Sequence, residues 1–217
     1  MVDECGDPVN YQGYVYATVL IGELCWFAEN LRSENYGNGD AIPSNLSNYE
    51  WQNGNSGAVA VYGEGSSYCM TGDCGDVCDE AWSLSEYGRL YNWYAVDDAR
   101  GLCPSGWHVP TDGEWTVLTD YLGGVVEAED QMKSDYGWQN SWGNGTNSSG
   151  FSGLPGGFRR YYDGGWAYAC FHTYWWSSTP GGSGAWHRYL NDDYEYVGRN
   201  NISQTGGFSV RCVRDAE

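Results

Sequence analysis

The stretch CPSGWHVPTDGEWTVLTDYLGG, residues 103–124, holds the most sharply bounded element of the chain. Thr111 and Glu114 stand in the T-x-x-E order of a capping box, where each side chain satisfies a backbone amide of the first helical turn. Trp115, Leu118 and Leu122 follow at i, i+3 and i+7, and Gly123-Gly124 supplies the stop. The pattern predicts a helix over Thr111–Leu122. Just upstream, Cys103-Pro104-Ser105-Gly106 interrupts whatever precedes it. The segment before that break, Leu84–Ala99, sets Leu90, Trp93, Tyr94 and Val96 on a broad apolar face and predicts a second helix.

The remaining elements read as short strands. Tyr11–Ile21, YQGYVYATVLI, alternates and is rich in Val, Tyr and Thr, which predicts a strand. Cys25–Leu31 is either a second strand or a short turn into a loop. From Arg32 to about Ser85 the chain is rich in Gly, Asn, Ser and Asp, broken only by the apolar island Ala58–Tyr62. A loop of that length is functional, disordered or pinned by cross-links, and Cys69, Cys74 and Cys78 inside it favour pinning. Asp135–Gly157 is again polar and Gly-rich, with Trp138, Trp142, Phe151 and Leu154 as anchors. Gly157–Arg160, Tyr174–Ser178, Ala185–Leu190 and Phe208–Arg214 predict strands. The outline is α+β: a first strand, two helices, then a run of short strands. No repeat and no linker divides it, so residues 1–217 are read as one domain.

Composition narrows the function. The chain has 217 residues, 10 Lys+Arg against 29 Asp+Glu, and a net charge of −19. Phosphate binding needs a basic stripe, so nucleic acid is excluded as a partner. Adsorption to anionic membranes is disfavoured for the same reason. No run of about 18 apolar residues exists to span a bilayer. Met1-Val2-Asp3-Glu4 lacks the basic start and apolar run of a leader. Aromatic residues make up 17%, far too many large rings for a disordered chain. Eight cysteines, an even number, in an acidic chain rich in Tyr and Trp fit disulfides and an oxidising compartment.

Six segments in order, IGELCWFAENLR (21–32), EYGRLYNWYAV (86–96), CPSGWHVPTDGEWTVLTDYLGG (103–124), GTNSSGFSGLPGG (145–157), YWWSSTP (174–180) and GGFSVRCVRD (206–215), closely resemble the Fibrobacter succinogenes major paralogous domain family over nearly the whole chain. A weaker resemblance runs to the C-type lectin-like fold. HVPTDGEW is similar to the LPTEAEW helix of formylglycine-generating-enzyme-like domains, and GGFSVRCVRD to the GFR strand that ends them. The resemblance implies that the first and last strands join in a small sheet, that two helices flank it, and that a loop-rich half carries the ligand surface. It also implies a Cys103–Cys212 disulfide. Cys5–Cys25 is a second candidate pair.

That fold also serves the variable proteins of diversity-generating retroelements, where adenine-specific mutagenesis rewrites selected codons near the C-terminus. WHRYLNDDYEYVGRNNIS, Trp186–Ser203, has the vocabulary such rewriting leaves. Under that resemblance Asn191, Asn200 and Asn201 are unchanged template positions. His187, Tyr189, Asp193, Tyr194, Tyr196, Gly198, Ile202 and Ser203 are rewritten ones. Tyr and Trp with adaptable polar residues is also the composition of antibody paratopes. Trp186, Tyr189, Tyr194 and Tyr196 are the expected anchors; His187, Asn191, Asp193, Arg199, Asn200 and Asn201 are the expected polar readers. The alternative is an ordinary hairpin whose aromatic rings pack inward.

Other chemistry finds little support. The Glu-Pro-Asn, Gln-Pro-Asp and Trp-Asn-Asp motifs of calcium-dependent sugar binding are missing. Asn191-Asp192-Asp193 and the group Asp73, Asp76 and Asp79 are the nearest acidic clusters, but neither completes a calcium loop. The Cys69–Cys74–Cys78 spacing is too loose for zinc. A structural calcium stays open, and no metal and no cofactor is assigned. The three histidines His108, His172 and His187 lie in no catalytic motif, and no nucleophile elbow or phosphate loop is present. Formylglycine-generating enzymes use a cysteine pair near the C-terminus; Cys212 stands alone there, and Cys170 lies too far upstream. His108 is expected to be structural, Asp192 and Glu195 to be surface charge, and Trp107, Trp115, Trp175 and Trp176 to be core. The expected function is therefore non-catalytic: a secreted or surface-displayed domain that binds a protein or glycan on another cell or virus. An invariant adhesion or carbohydrate-binding module is the alternative. Neither the ligand nor the oligomeric state can be read from the sequence.

Overall fold

The computed structural model describes residues 4–66, 74–139 and 143–216. Gln12 and Gly13 both take positive φ, 48° and 85°. Two such residues in succession make the tight turn that suits the twist of an antiparallel hairpin. The run expected as one strand is therefore folded back on itself. It gives β1 (Val9–Tyr11), β2 (Tyr14–Tyr16) and, past Ala17, β3 (Thr18–Ile21). A second turn at Gly22 leads into β4 (Leu24–Phe27), every residue of which is buried. The long polar segment then holds α1 (Asn48–Asn53), capped by a Ser47/Glu50 box, and β5 (Val59–Val61).

The helix expected over Leu84–Ala99 does not form as one piece. α2 (Glu80–Tyr87) ends at Gly88, whose φ is 74°. β6 (Arg89–Tyr91) then pairs with β5, with Leu90 opposite Ala60, and Asn92 caps the single turn α3 (Trp93–Val96). Tyr87, Leu90, Tyr91, Trp93, Ala95 and Val96 are all buried. A segment covered on every side carries no amphipathic period to read. The other helix is as expected: α4 (Asp112–Tyr121) has both halves of the Thr111/Glu114 box. α5 (Val125–Met132) follows at once, begun by Gly124 without any side-chain cap, and its acidic sequence gave no signal.

Five strands follow: β7 (Gly156–Arg159), β8 (Trp166–Ala169), β9 (His172–Gly181), β10 (Gly184–Asn191) and β11 (Gly198–Ser203). They form a sheet in the order β11-β10-β9-β7-β8, antiparallel except where β7 meets β9. The last strand, β12 (Val213–Asp215), is shorter than expected. It lies beside β4, which separates it from β3, so the first and last strands share a three-stranded sheet without touching. Residues 208–212 bond instead to several elements in turn. Phe208 exchanges amide and carbonyl with Tyr91, Ser209 bonds Tyr174 and Trp176, Val210 accepts from Leu31, and Cys212 accepts from Phe27.

Trp26, Trp115, Phe151 and Trp175 meet in tilted and edge-on contacts in one core, between α4 and the large sheet. Trp176, Phe208, Tyr91 and Phe27 belong to a second. Cys103–Cys212 and Cys5–Cys25 are bonded as expected. The first closes 109 residues, which the chain-entropy account values at about 4–5 kcal/mol. Cys74 is bonded to Cys170, 96 residues away, so it ties the long loop to the turn after β8. Cys78 is also disulfide-bonded. Cys69, Asp73 and Trp142 lie outside the described residues.

Arg211 is 1% exposed. Its Nε donates to Asn30 Oδ1 (2.7 Å), Nη1 to the carbonyls of Phe27 (2.9 Å) and Phe151 (2.6 Å), and Nη2 to that of Ser152 (3.1 Å). Replacing it with Met removes all four donations from buried acceptors, of which Asn30 Oδ1 keeps the Trp175 indole N–H, at a cost of about 3 kcal/mol or more. Arg211→Lys fails too, because an ammonium cannot span a planar fork. Both variants are expected to melt roughly 6–12 °C below the parent in a thermal scan under non-reducing conditions. A Lys variant that melts with the parent would show that only the charge matters.

Candidate ligand-binding face

β10 sits between β9 and β11, so its alternate residues face opposite sides of the sheet. The predicted array is split accordingly. Arg188 and Leu190 point toward α4, together with Trp175 of β9 and, from β11, Arg199 opposite Arg188. Trp186 and Asn201 pair on this same side. His187, Tyr189 and Asn191 point the other way, beside Tyr174 and His172 of β9, with Asn200 and Gly198 of β11.

Asp112, the first residue of α4, organises the first side. Its carboxylate takes Arg188 through Oδ1 and Arg199 through both oxygens, the latter at 2.8–3.2 Å. Arg188 also donates to the Asp112 carbonyl (3.1 Å) and to Thr116 Oγ1 (3.0 Å). Burial opposes ionisation of Asp112, but hydrogen bonds from Arg199 and Arg188 outweigh it and hold the carboxyl below its ordinary range. The Arg199 guanidinium lies 3.7 Å over the Trp186 ring. Trp186 is thus half-buried under its own neighbour. Asn201 donates to the Gly181 carbonyl (2.8 Å) and fastens the β9–β10 turn.

The second side is aromatic. Phe208 and Tyr174 stack with centroids 4.9 Å apart, Tyr189 follows 5.6 Å from Tyr174, and Tyr194 and Tyr196 are 5.6 Å apart at the edge. Burial first, then the Tyr196 hydroxyl, push the Tyr189 phenol up to about 12. Tyr194 is 54% exposed and Tyr196 38%. Asp193 and Asn200 are also exposed, while Ile202 and Ser203 are half-buried.

Three expected contact residues do not reach solvent. His187 is 3% exposed, its ring 4.9 Å from that of Phe208. Asn191 is buried, and its Oδ1 accepts from the amides of Asp193 (3.1 Å) and Tyr194 (2.7 Å), so it shapes the turn rather than reading a ligand. Gly198 is buried beneath the Tyr189 ring: a Cβ there would lie 2.0 Å from Tyr189 Cζ. A side chain at 198 and the present ring at 189 exclude each other.

Sequence reasoning missed the β8–β9 edge. Tyr168 is 49% exposed and stacks on His172 at 4.4 Å, and His172 Nδ1 lies 2.9 Å from Tyr174 Oη. The signal was present in YACFHTY, 168–174, where His172 and Tyr174 are two apart and so share a face. Asp192–Glu195 also line an open cleft of about 360 Å³ against α5. The His108 backbone pairs with Val213, and its Nε2 is 2.6 Å from Glu114 Oε1. Trp115, Trp175 and Trp176 are core, and Trp107 packs on Phe27.

His187 yields a test of this geometry. Burial, and to a lesser degree Arg188, hold its pKa down to about 3. The unfolded chain takes up this proton near pH 6.5 and the folded chain does not. Its contribution to stability is therefore complete above pH 6.5 and declines as pH falls toward about 3. Melting curves at pH 7 and 4.5 are expected to differ less for His187→Phe than for the parent. An equal acid loss in both would mean that the imidazole is solvated.

No curated protein matches the chain. Residues 19–214, from within β3 to within β12, match the family described as the Fibrobacter succinogenes major domain, so the chain belongs to that family.

Proposed function

We propose that this domain is a non-catalytic binder with a C-type lectin-like fold, exported from the cell, that presents a diversifiable surface in the manner of retroelement variable proteins. The observation that carries the reading is the line of rings Tyr168, His172, Tyr174 and Tyr189 on one side of a sheet whose other side is packed on α4, with the Tyr194–Tyr196 pair in the loop after β10. Tyrosine gives large contact area at small entropy cost, since only two torsions are fixed. The surface is open rather than a deep cavity, which suits a macromolecular partner such as a protein or a glycan. Oxidised cysteines favour an oxidising compartment, and among the described residues no helix is long and apolar enough to cross a membrane.

The geometry narrows the diversifiable set. Tyr189, Asp193, Tyr194, Tyr196 and Asn200 have room to change. His187, Asn191 and Asn201 hold the strand and its turns, and Gly198 varies only in concert with Tyr189. Exposed substitutions away from special features change stability by about 0.5 kcal/mol or less each.

Two measurements test the reading. A displayed library randomised at Asp193, Tyr194, Tyr196 and Asn200 should retain melting temperatures near the parent and yield binders to unrelated proteins after selection. Loss of folding across the library, or no binder from any target, would defeat it. Sequencing this locus in sister genomes should find differences confined to 186–203 and traceable to template adenines. Differences spread evenly along the chain would leave an invariant adhesion module instead.

A further inference from the structure

We propose that His172, Asp192 and Asp193 form a binding site for a divalent transition-metal ion, of which zinc is the type. One donor atom from each side chain lies within 4.8 Å of the other two. They come from two strands that the sheet register forces together: His172 opens β9 directly opposite Asn191, and the two aspartates follow Asn191 into the turn.

The histidine separates this group from an ordinary surface cluster of acids. Its ring is fixed from outside the group, by the Tyr168 ring stacked on it at 4.4 Å and 10°, and by Tyr174 Oη 2.9 Å from Nδ1. In the tautomer that donates the Nδ1 proton to that hydroxyl, Nε2 carries the lone pair. A metal-ligating imidazole almost always has its other nitrogen held in this way, which sets the tautomer and the ring direction. Two carboxylates and one imidazole thus come together on a chain of net charge −19.

One nitrogen and two carboxylate oxygens suit zinc and its neighbours in the first transition row. Calcium wants six to eight oxygens and takes no imidazole. Zinc bonds of about 2.0–2.2 Å draw the donors closer than they now stand, and Asp193, exposed at the turn, is free to rotate inward. Three protein ligands leave at least one position open to water or to a donor from a bound partner. The site stands on three side chains alone and does not depend on diversification.

The test uses the whole chain stripped with chelator, titrated calorimetrically with Zn²⁺ alone and with Ca²⁺ as the control. One equivalent of zinc is expected to bind and calcium is not. Asp193→Asn, an exposed change that leaves folding intact, and His172→Ala should each weaken zinc by more than about tenfold. Tyr174→Phe, which keeps the ring but removes the hydroxyl, should weaken it about 10–100-fold. Co²⁺ in place of zinc should give visible absorption bands that vanish in Asp193→Asn. Zinc binding unchanged in Asp193→Asn and His172→Ala, or no stoichiometric binding to the parent, overturns the site. Calcium binding that ignores the loss of His172 would overturn it as well, by assigning the aspartates to a different and weaker oxygen site.

Discussion

One buried cation, Arg211, joins parts of the chain that are far apart in sequence. Removing a guanidinium from water costs several kcal/mol, and only excellent geometry repays it. Here four acceptors and an aromatic face do so: Asn30, three backbone carbonyls, and the Phe151 ring 4.3 Å beneath. Among the described residues no carboxylate forms an ion pair with it. Burial pulls its pKa down, yet a guanidinium keeps its proton at pH 7. Asn30 extends the hub. Its Oδ1 also takes the Trp175 indole N–H at 2.9 Å, and its amide donates to the Tyr87 carbonyl at 2.9 Å and to Ser209 Oγ at 3.3 Å. One arginine and one asparagine thus fix the exit of β4, the end of α2, the 151–152 loop, the middle of β9 and the C-terminal segment.

The hub explains why GGFSVRCVRD resists description as an ordinary strand. Phe208, Val210 and Cys212 alternate with Ser209 and Arg211, a pattern that suggests one buried face. The structure buries both faces, because a segment threaded through the middle of a domain has no solvent side. Local chemistry was legible wherever it was self-contained. Thr111 and Glu114 need only each other and two amides, and their helix stands as expected. The first helix was misread because its apolar residues are buried on all sides, so their spacing marks no helical face. Its true stop, Gly88, lies against the backbone of Asn30 and Leu31, a contact distant in sequence that no window reveals. The pairing of Cys74 with Cys170 is non-local in the same sense. Cys103–Cys212 was legible only because the family resemblance carried it.

The array was legible as a composition but not as a surface. Strand period alone sends neighbouring residues to opposite faces, so a run of tyrosines and asparagines cannot all meet one partner. Asp112 makes the division firm. It stands at the N-terminus of α4, where the helix favours an anion, and from there it holds Arg188 and Arg199. The sheet's inner face is thereby committed to scaffold, and Trp186 is committed with it through the Arg199 stack. What is left to vary is the outer face and the turn after Asn191.

That division sets how change can be tolerated. A variable surface must be decoupled from the bonds that hold its backbone, or each new side chain would be filtered by stability before binding could select it. Hydrogen bonds that use side chains as turn formers, such as Asn191 to the amides of Asp193 and Tyr194, belong to the scaffold even though they sit inside the variable-looking stretch. Asparagine is well suited to that double position: its amide closes a turn as a backbone group would. The asparagines that read as unchanged template positions therefore divide by structure into two kinds. Asn191 and Asn201 are held by the turns they close, and Asn200, exposed, is the one whose identity the fold leaves free.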